Sequence, residues 1–125
     1  MALIPYMQLG LVMLGGALGS LARYLCVLLV GRMPVGAFPL GTMLVNILGS
    51  FAIGLLMARF MLQDTPGARV FLVTGVLGGF TTFSAFSWDA LQLMQRGQIG
   101  LAGAYVLGSV LLSFAAVAGG YQIGR

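Results

Sequence analysis

Four apolar runs, each long enough to cross a bilayer as a helix, leave this chain little choice of fold. At 1.5 Å rise per residue a helix needs about 20 apolar residues to span the hydrocarbon. Such runs lie at about 7–30, 40–62, 69–94 and 99–123. The connections between them are short and carry helix breakers or polar residues: Gly31-Arg32-Met33-Pro34, Gln63-Asp64-Thr65-Pro66-Gly67 and Gln95-Arg96-Gly97-Gln98. Only 6% of the residues are charged, against roughly a quarter in a water-facing domain. The expectation is an all-α membrane protein, residues 1–125 forming one four-span domain with no room for a soluble catalytic unit. The start lacks a basic region and its first apolar run is too long for a signal peptide, so that run is read as a retained span.

The polar inventory excludes most chemistry. With no His, a single Cys at Cys26 and two Asp, side-chain metal cages, thiol redox pairs and nucleophile–base arrangements are out of reach, and an enzyme is not expected. The net charge of +4 comes from six arginines placed singly along the chain, a pattern that marks topology and not a nucleic-acid partner. Arg59, Arg69 and Arg125 belong to one side of the membrane, Arg32 and Arg96 to the other. So small a bias does not specify one orientation, which predicts insertion both ways and pairing as an antiparallel homodimer with a two-fold axis in the membrane plane. Small residues four apart predict close helix contacts: Gly15 and Gly19 on the first span, Gly75 and Gly79 on the third, Gly100, Ala104 and Gly108 on the fourth.

Polar side chains inside apolar helices are costly, so function is sought there. Thr42, Asn46 and Ser50 share one face of the second span, and Tyr105, Ser109 and Ser113 one face of the fourth. Such stripes either line a hydrated path or hydrogen-bond one helix to another. Arg23 lies in the first span with no acid in the first two spans to neutralise it. It either snorkels to an interface or favours anions near a vestibule. In the third span, Gly78-Gly79-Phe80-Thr81-Thr82 weakens the helix at membrane depth. A break there frees carbonyls that a small hard cation would satisfy. Phe83 and Phe86 follow on a common face with Ser84 beside them. Aromatic edges carry partial positive charge and contact an anion without trapping it.

Three segments, 15–24 (GGALGSLARY), 41–51 (GTMLVNILGSF) and 78–86 (GGFTTFSAF), in this order and spacing, resemble the fluoride channel family known as Fluc or CrcB over most of the chain. The resemblance implies an antiparallel dimer with two pores, a structural Na⁺ at the dimer axis, and passive, selective fluoride export across a bacterial inner membrane that relieves fluoride toxicity. Carried over by position, it implies Asn46, Phe83 and Phe86 as pore residues and Arg23 as the vestibule arginine. Gly78 and Thr81 then offer their carbonyls to Na⁺, while Tyr105 and Ser109 form the polar track, with Ser84 and Thr42 adding hydroxyls. Ala85 stands where many relatives have Thr, and Asp89 where Glu is usual. Two other functions fit a four-span chain. A small multidrug exporter needs an embedded acid on its first span, which is missing here, and a structural subunit would use its polar stripes only to join helices.

Overall fold

The computed structural model describes residues 5–125, and its long elements are all helical. Helix α1 covers Tyr6–Val30 and α2 covers Leu40–Leu62. The third span, Pro66–Gln95, is composite. It consists of α3 (Pro66–Arg69), a π-helical stretch (Val70–Leu77), a short turn α4 (Gly78–Phe80), two extended residues, and α5 (Phe83–Gln95). Helix α6, Ile99–Gly124, completes four spans long and apolar enough to cross a membrane. This is the all-helical architecture expected from hydropathy. The third span is interrupted where Gly-Gly-Phe-Thr-Thr predicts it: Thr81 and Thr82 have φ/ψ of −84°/155° and −152°/121°.

Local chemistry ends these helices. Pro66 occupies the first turn of α3, where its missing N–H costs nothing. After α5, Gly97 takes φ +77°, the left-handed conformation that glycine adopts without a steric penalty. The Gln98 N–H then reaches back to the Leu93 carbonyl (2.9 Å) and the Gly97 N–H to that of Met94 (3.0 Å). This satisfies two terminal carbonyls and turns the chain sharply into α6.

The helices pair tightly in an interleaved way. α1 lies against the third span, and α2 against α6. The first pair meets backbone to backbone: a Cβ on Gly15 would stand 2.9 Å from the Cα of Gly75, and one on Gly79 would stand 2.6 Å from the Gly16 carbonyl. A Cβ on Gly19 would overlap the Val76 carbonyl. The spacing-four glycines of the first and third spans therefore form the contact they predict, in which dispersion and close backbone approach replace the absent hydrophobic drive between helices in lipid.

On the fourth span the expectation is corrected. Within one chain, Ala104 is exposed, a Cβ on Gly100 would meet nothing within 4 Å among the described residues, and one on Gly108 would meet the Met43 methyl at 3.1 Å. The close approach to α2 uses Gly120 and Gly124 instead. A Cβ on Gly124 would lie 2.5 Å from the Leu55 carbonyl, and Gly54 on α2 answers by leaving room for Val117. Larger side chains fill the other end of this pair, where Met43, Leu93, Ala102 and Tyr105 form a small core with Phe38 and Phe86 against it.

These contacts set the tolerance of each glycine. Gly19→Val forces two backbones apart and is expected to cost about 3 kcal/mol or more, near the upper range of overpacking, whereas Gly100→Ala removes no contact and leaves stability within about 1 kcal/mol. Thermal unfolding of the detergent-solubilised protein, followed by size-exclusion chromatography, measures both.

Candidate functional site

At the interruption, hydrogen bonds are redistributed between spans. In an unbroken helix the Thr82 N–H would bond the Gly78 carbonyl. Here it donates instead to Oδ1 of Asn46, on α2, at 2.7 Å. Asn46 Nδ2 in turn donates to the Thr82 carbonyl at 2.9 Å. One side-chain amide thus pairs with both polar groups of one extended residue, as a neighbouring strand would. Thr82 is also the N-cap of α5: its hydroxyl accepts from the Ala85 N–H at 3.2 Å and lies 3.3 Å from the Ser84 hydroxyl. The Ala85 N–H is thereby turned away from the Thr81 carbonyl.

Beside the break opens a cavity of about 500 Å³ between α2, the third span and α6. Of the residues singled out from the sequence, Asn46, Gly78, Thr81, Phe83, Phe86 and Ser109 line it. Ser50 and Ser113, the outer members of the two stripes, line it as well. Among the described residues no charged side chain does so. The start of α5 borders the cavity, so the positive end of that helix faces a space without fixed charge.

The donors differ in how far they are committed. Ser50 donates to the Asn46 carbonyl at 2.7 Å, and Thr81 to the Leu77 carbonyl at 2.9 Å, so both hydroxyl protons are spent within their own helices. Asn46 keeps one amide hydrogen beyond the bond to Thr82. The Ser109 hydroxyl, on a residue 4% exposed, has no hydrogen-bond partner among the described residues. An unsatisfied buried hydroxyl costs about 1–3 kcal/mol, and an ion or water in the cavity would recover that cost.

Other expected residues lie elsewhere. Tyr105 and Thr42 are buried and do not line the cavity. Tyr105 stands behind Phe86, with ring centroids 5.2 Å apart, and its hydroxyl donates to Oδ2 of Asp89 at 3.2 Å. Phe38 meets the edge or face of Tyr105 at 86°, and Phe83 lies 5.5 Å from Phe86. Four rings thus form a row in the order Phe83, Phe86, Tyr105, Phe38, from the exposed Phe83 through the fully buried Tyr105 to the half-buried Phe38 ahead of α2. Phe83 is 79% exposed and forms the open end. Ser84 is exposed and touches the site through Thr82. Arg23 is half-buried on α1, apart from the cavity, and among the described residues no acid pairs with it. The ion pair that does form joins Arg69 and Asp64 at 3.3 Å in the second connection.

Sequence reasoning missed Thr82, the centre of the break. The signal was present, since Thr ahead of a helix is a preferred N-cap, but Thr81-Thr82 reads first as a helix breaker.

No group of three His, Cys, Asp or Glu capable of holding a metal exists among the described residues, so a cation at this break would draw on backbone carbonyls and neutral side-chain oxygens. The donor set nevertheless fits a small hard ion. The break takes the helical donors from the carbonyls of residues 78–81, and two of these residues, Gly78 and Thr81, line the cavity.

Comparison with known proteins bears on what the cavity carries. Residues 10–121 match the family described as CrcB-like protein, Camphor Resistance (CrcB). A Paracoccus denitrificans protein called fluoride-specific ion channel FluC is 55% identical over 114 residues, covering 91% of each chain. A protein of the same name from Agrobacterium fabrum is 50% identical, covering 94% of this chain and 96% of its own. One from Rhizobium meliloti is 51% identical, covering 89% and 90%.

Thr82→Ala, which deletes the cap but keeps the peptide that Asn46 holds, is expected to lower stability by about 1 kcal/mol, and Thr82→Ser to restore it. Thermal unfolding of the two variants in one detergent checks the pair.

Proposed function

The chain belongs to the CrcB family of multi-pass membrane proteins, whose relatives above are named as ion channels and not enzymes, and from that premise we propose that it is a fluoride-selective channel that lets fluoride leave the cell passively. The observation that carries this reading is the uncharged cavity at the helix break, where the Asn46 amide, the unpartnered Ser109 hydroxyl and the rings of Phe83 and Phe86 converge.

Fluoride is small and holds its water strongly, so a path must replace that water with donors. The free hydrogen of Asn46 and the hydroxyl of Ser109 are such donors. Phe83 and Phe86 add ring edges, whose partial positive charge attracts an anion. A fixed cation at the same depth would hold fluoride too firmly for flow, and the cavity has none. Arg23, away from the narrow section, raises the local anion concentration without binding the ion in transit. Tyr105 supports Phe86 from behind, anchored by Asp89. Here the shorter acid still reaches the tyrosine hydroxyl.

In this reading two copies inserted in opposite directions pair across the open side of the cavity, where Phe83 is bare, and form two pores. The near-even arginine count supports that arrangement. Na⁺ lies on the dimer axis, held by the Gly78 and Thr81 carbonyls, and neutralises the backbone oxygens left over at the break. Its role is structural. The bacterial inner membrane is the proposed location, and relief of fluoride toxicity the outcome.

Purified protein in liposomes loaded with fluoride is expected to release it on dilution and to retain chloride in a parallel preparation; fluoride retention, or equal release of both ions, overturns the proposal. Phe83→Ile and Phe86→Ile are each expected to lower fluoride flux about tenfold by removing the polarised edge, with the dimer still seen by cross-linking. Unchanged flux in both takes the rings out of the path.

A further inference from the structure

The two hydrogen bonds between Asn46 and Thr82 assign the polar residue of the second span a task beyond facing the ion. We propose that Asn46 is the positioning residue of the path: its amide splints the backbone on both sides of the Thr82 Cα, so that α2 sets where α5 begins and where Phe83 and Phe86 stand.

Both bonds are short, at 2.7 and 2.9 Å, and they join residues 36 positions apart. No other side chain hydrogen-bonds the backbone of the break from another helix among the described residues; the remaining side-chain bonds there, from Thr81, Thr82 and Ser87, are local. The interruption is thus held from outside at one residue only, through the two peptide groups that flank the Thr82 Cα. Gly49, one turn along α2, allows this approach, since a Cβ there would overlap the Thr81 methyl. Phe83 follows Thr82 directly and Phe86 lies one turn further, so any rotation of the backbone about Thr82 is passed to both rings. The same bond takes the Thr82 N–H from the Gly78 carbonyl, leaving that oxygen available. The splint itself does not depend on which ion flows; only its effect on fluoride flux rests on the proposed function.

The amide has two chemically distinct halves. Oδ1 accepts and Nδ2 donates, so the carboxamide meets the N–H and the carbonyl of Thr82 with two separate atoms and no charge. Asn46→Ala removes both halves. Asn46→Asp keeps an oxygen able to accept from the Thr82 N–H but presents a second oxygen to the Thr82 carbonyl.

The experiment measures amide hydrogen exchange at Thr82 by mass spectrometry on the full-length protein in nanodiscs, alongside fluoride flux from liposomes. Asn46→Ala is expected to exchange about tenfold faster at Thr82 than the unaltered protein, as one lost hydrogen bond implies, and to lose flux. Asn46→Asp is expected to retain Thr82 protection to within about threefold and still lose flux. Ser109→Ala, which removes a donor from the same cavity, is expected to leave Thr82 exchange unchanged. Flux lost in Asn46→Ala with Thr82 exchange unaltered overturns the proposal, as does an Asp variant that exchanges as fast as the Ala variant. Should the variants fail to fold, solid-state NMR of the unaltered protein decides, because a dipolar contact between Asn46 Nδ2 and the Thr82 carbonyl carbon is expected and its absence refutes the splint. Failure of the unaltered protein to pass fluoride refutes the channel reading alone, since the exchange comparison is read independently of flux.

Discussion

An extended peptide at membrane depth is the constraint on which the rest of this structure depends. In hydrocarbon each unsatisfied backbone group costs several kcal/mol; the Thr81 N–H keeps its bond to the Leu77 carbonyl, and the N–H and carbonyl of Thr82 leave the helical ladder with partners supplied. Asn46 supplies them to Thr82 from another span, and the Thr82 hydroxyl supplies one to the next helix. A break satisfied in this way presents helix ends, carbonyls and aromatic rings in the interior of the protein without placing a charge there. The uncharged cavity follows from the same exchange of hydrogen bonds that interrupts the helix.

The glycines bring the partners within reach. Gly15, Gly19, Gly75 and Gly79 press α1 against the third span, and Gly54, Gly120 and Gly124 press α6 against α2. Gly49 then admits Thr81 beside α2, which places Asn46 one turn away at bonding distance. The π-helical stretch Val70–Leu77 lies immediately before the break and contains Gly75. Its wider turns coincide with the closest approach to α1, in keeping with the tendency of π-helical turns to occur near functional sites.

Much of this was legible in the sequence because it depends on local composition. Four spans follow from apolar run length, the interruption from Gly-Gly and Thr-Thr, and the α1 contact from glycines four apart. The site was legible in part. Asn46, Phe83, Phe86 and Ser109 share the cavity, but Tyr105 and Thr42 lie behind it, because helical periodicity places residues on a face without saying how deep that face is buried. The fourth span was misread for a related reason. Gly100-Ala104-Gly108 and Gly120-Gly124 have the same spacing, and only the crossing of α6 over α2 selects the second. The pairing of Asn46 with Thr82 spans 36 residues, and nothing local in the chain announces it.

The interleaved pairing also orders events during synthesis. Neither tight contact joins neighbours in the chain: α1 waits for the third span and α2 for the fourth. At about 5–20 residues per second, the glycines of the third span emerge some seconds after those of α1. In that interval the glycine face of α1 has no third span to pack against, and the amide of Asn46 has no Thr82 to hold. Until then α1 and α2 share only their contact with each other, as at Gly41 against Val27, and the contact of Gly120 and Gly124 with α2 is the last for which the chain is available.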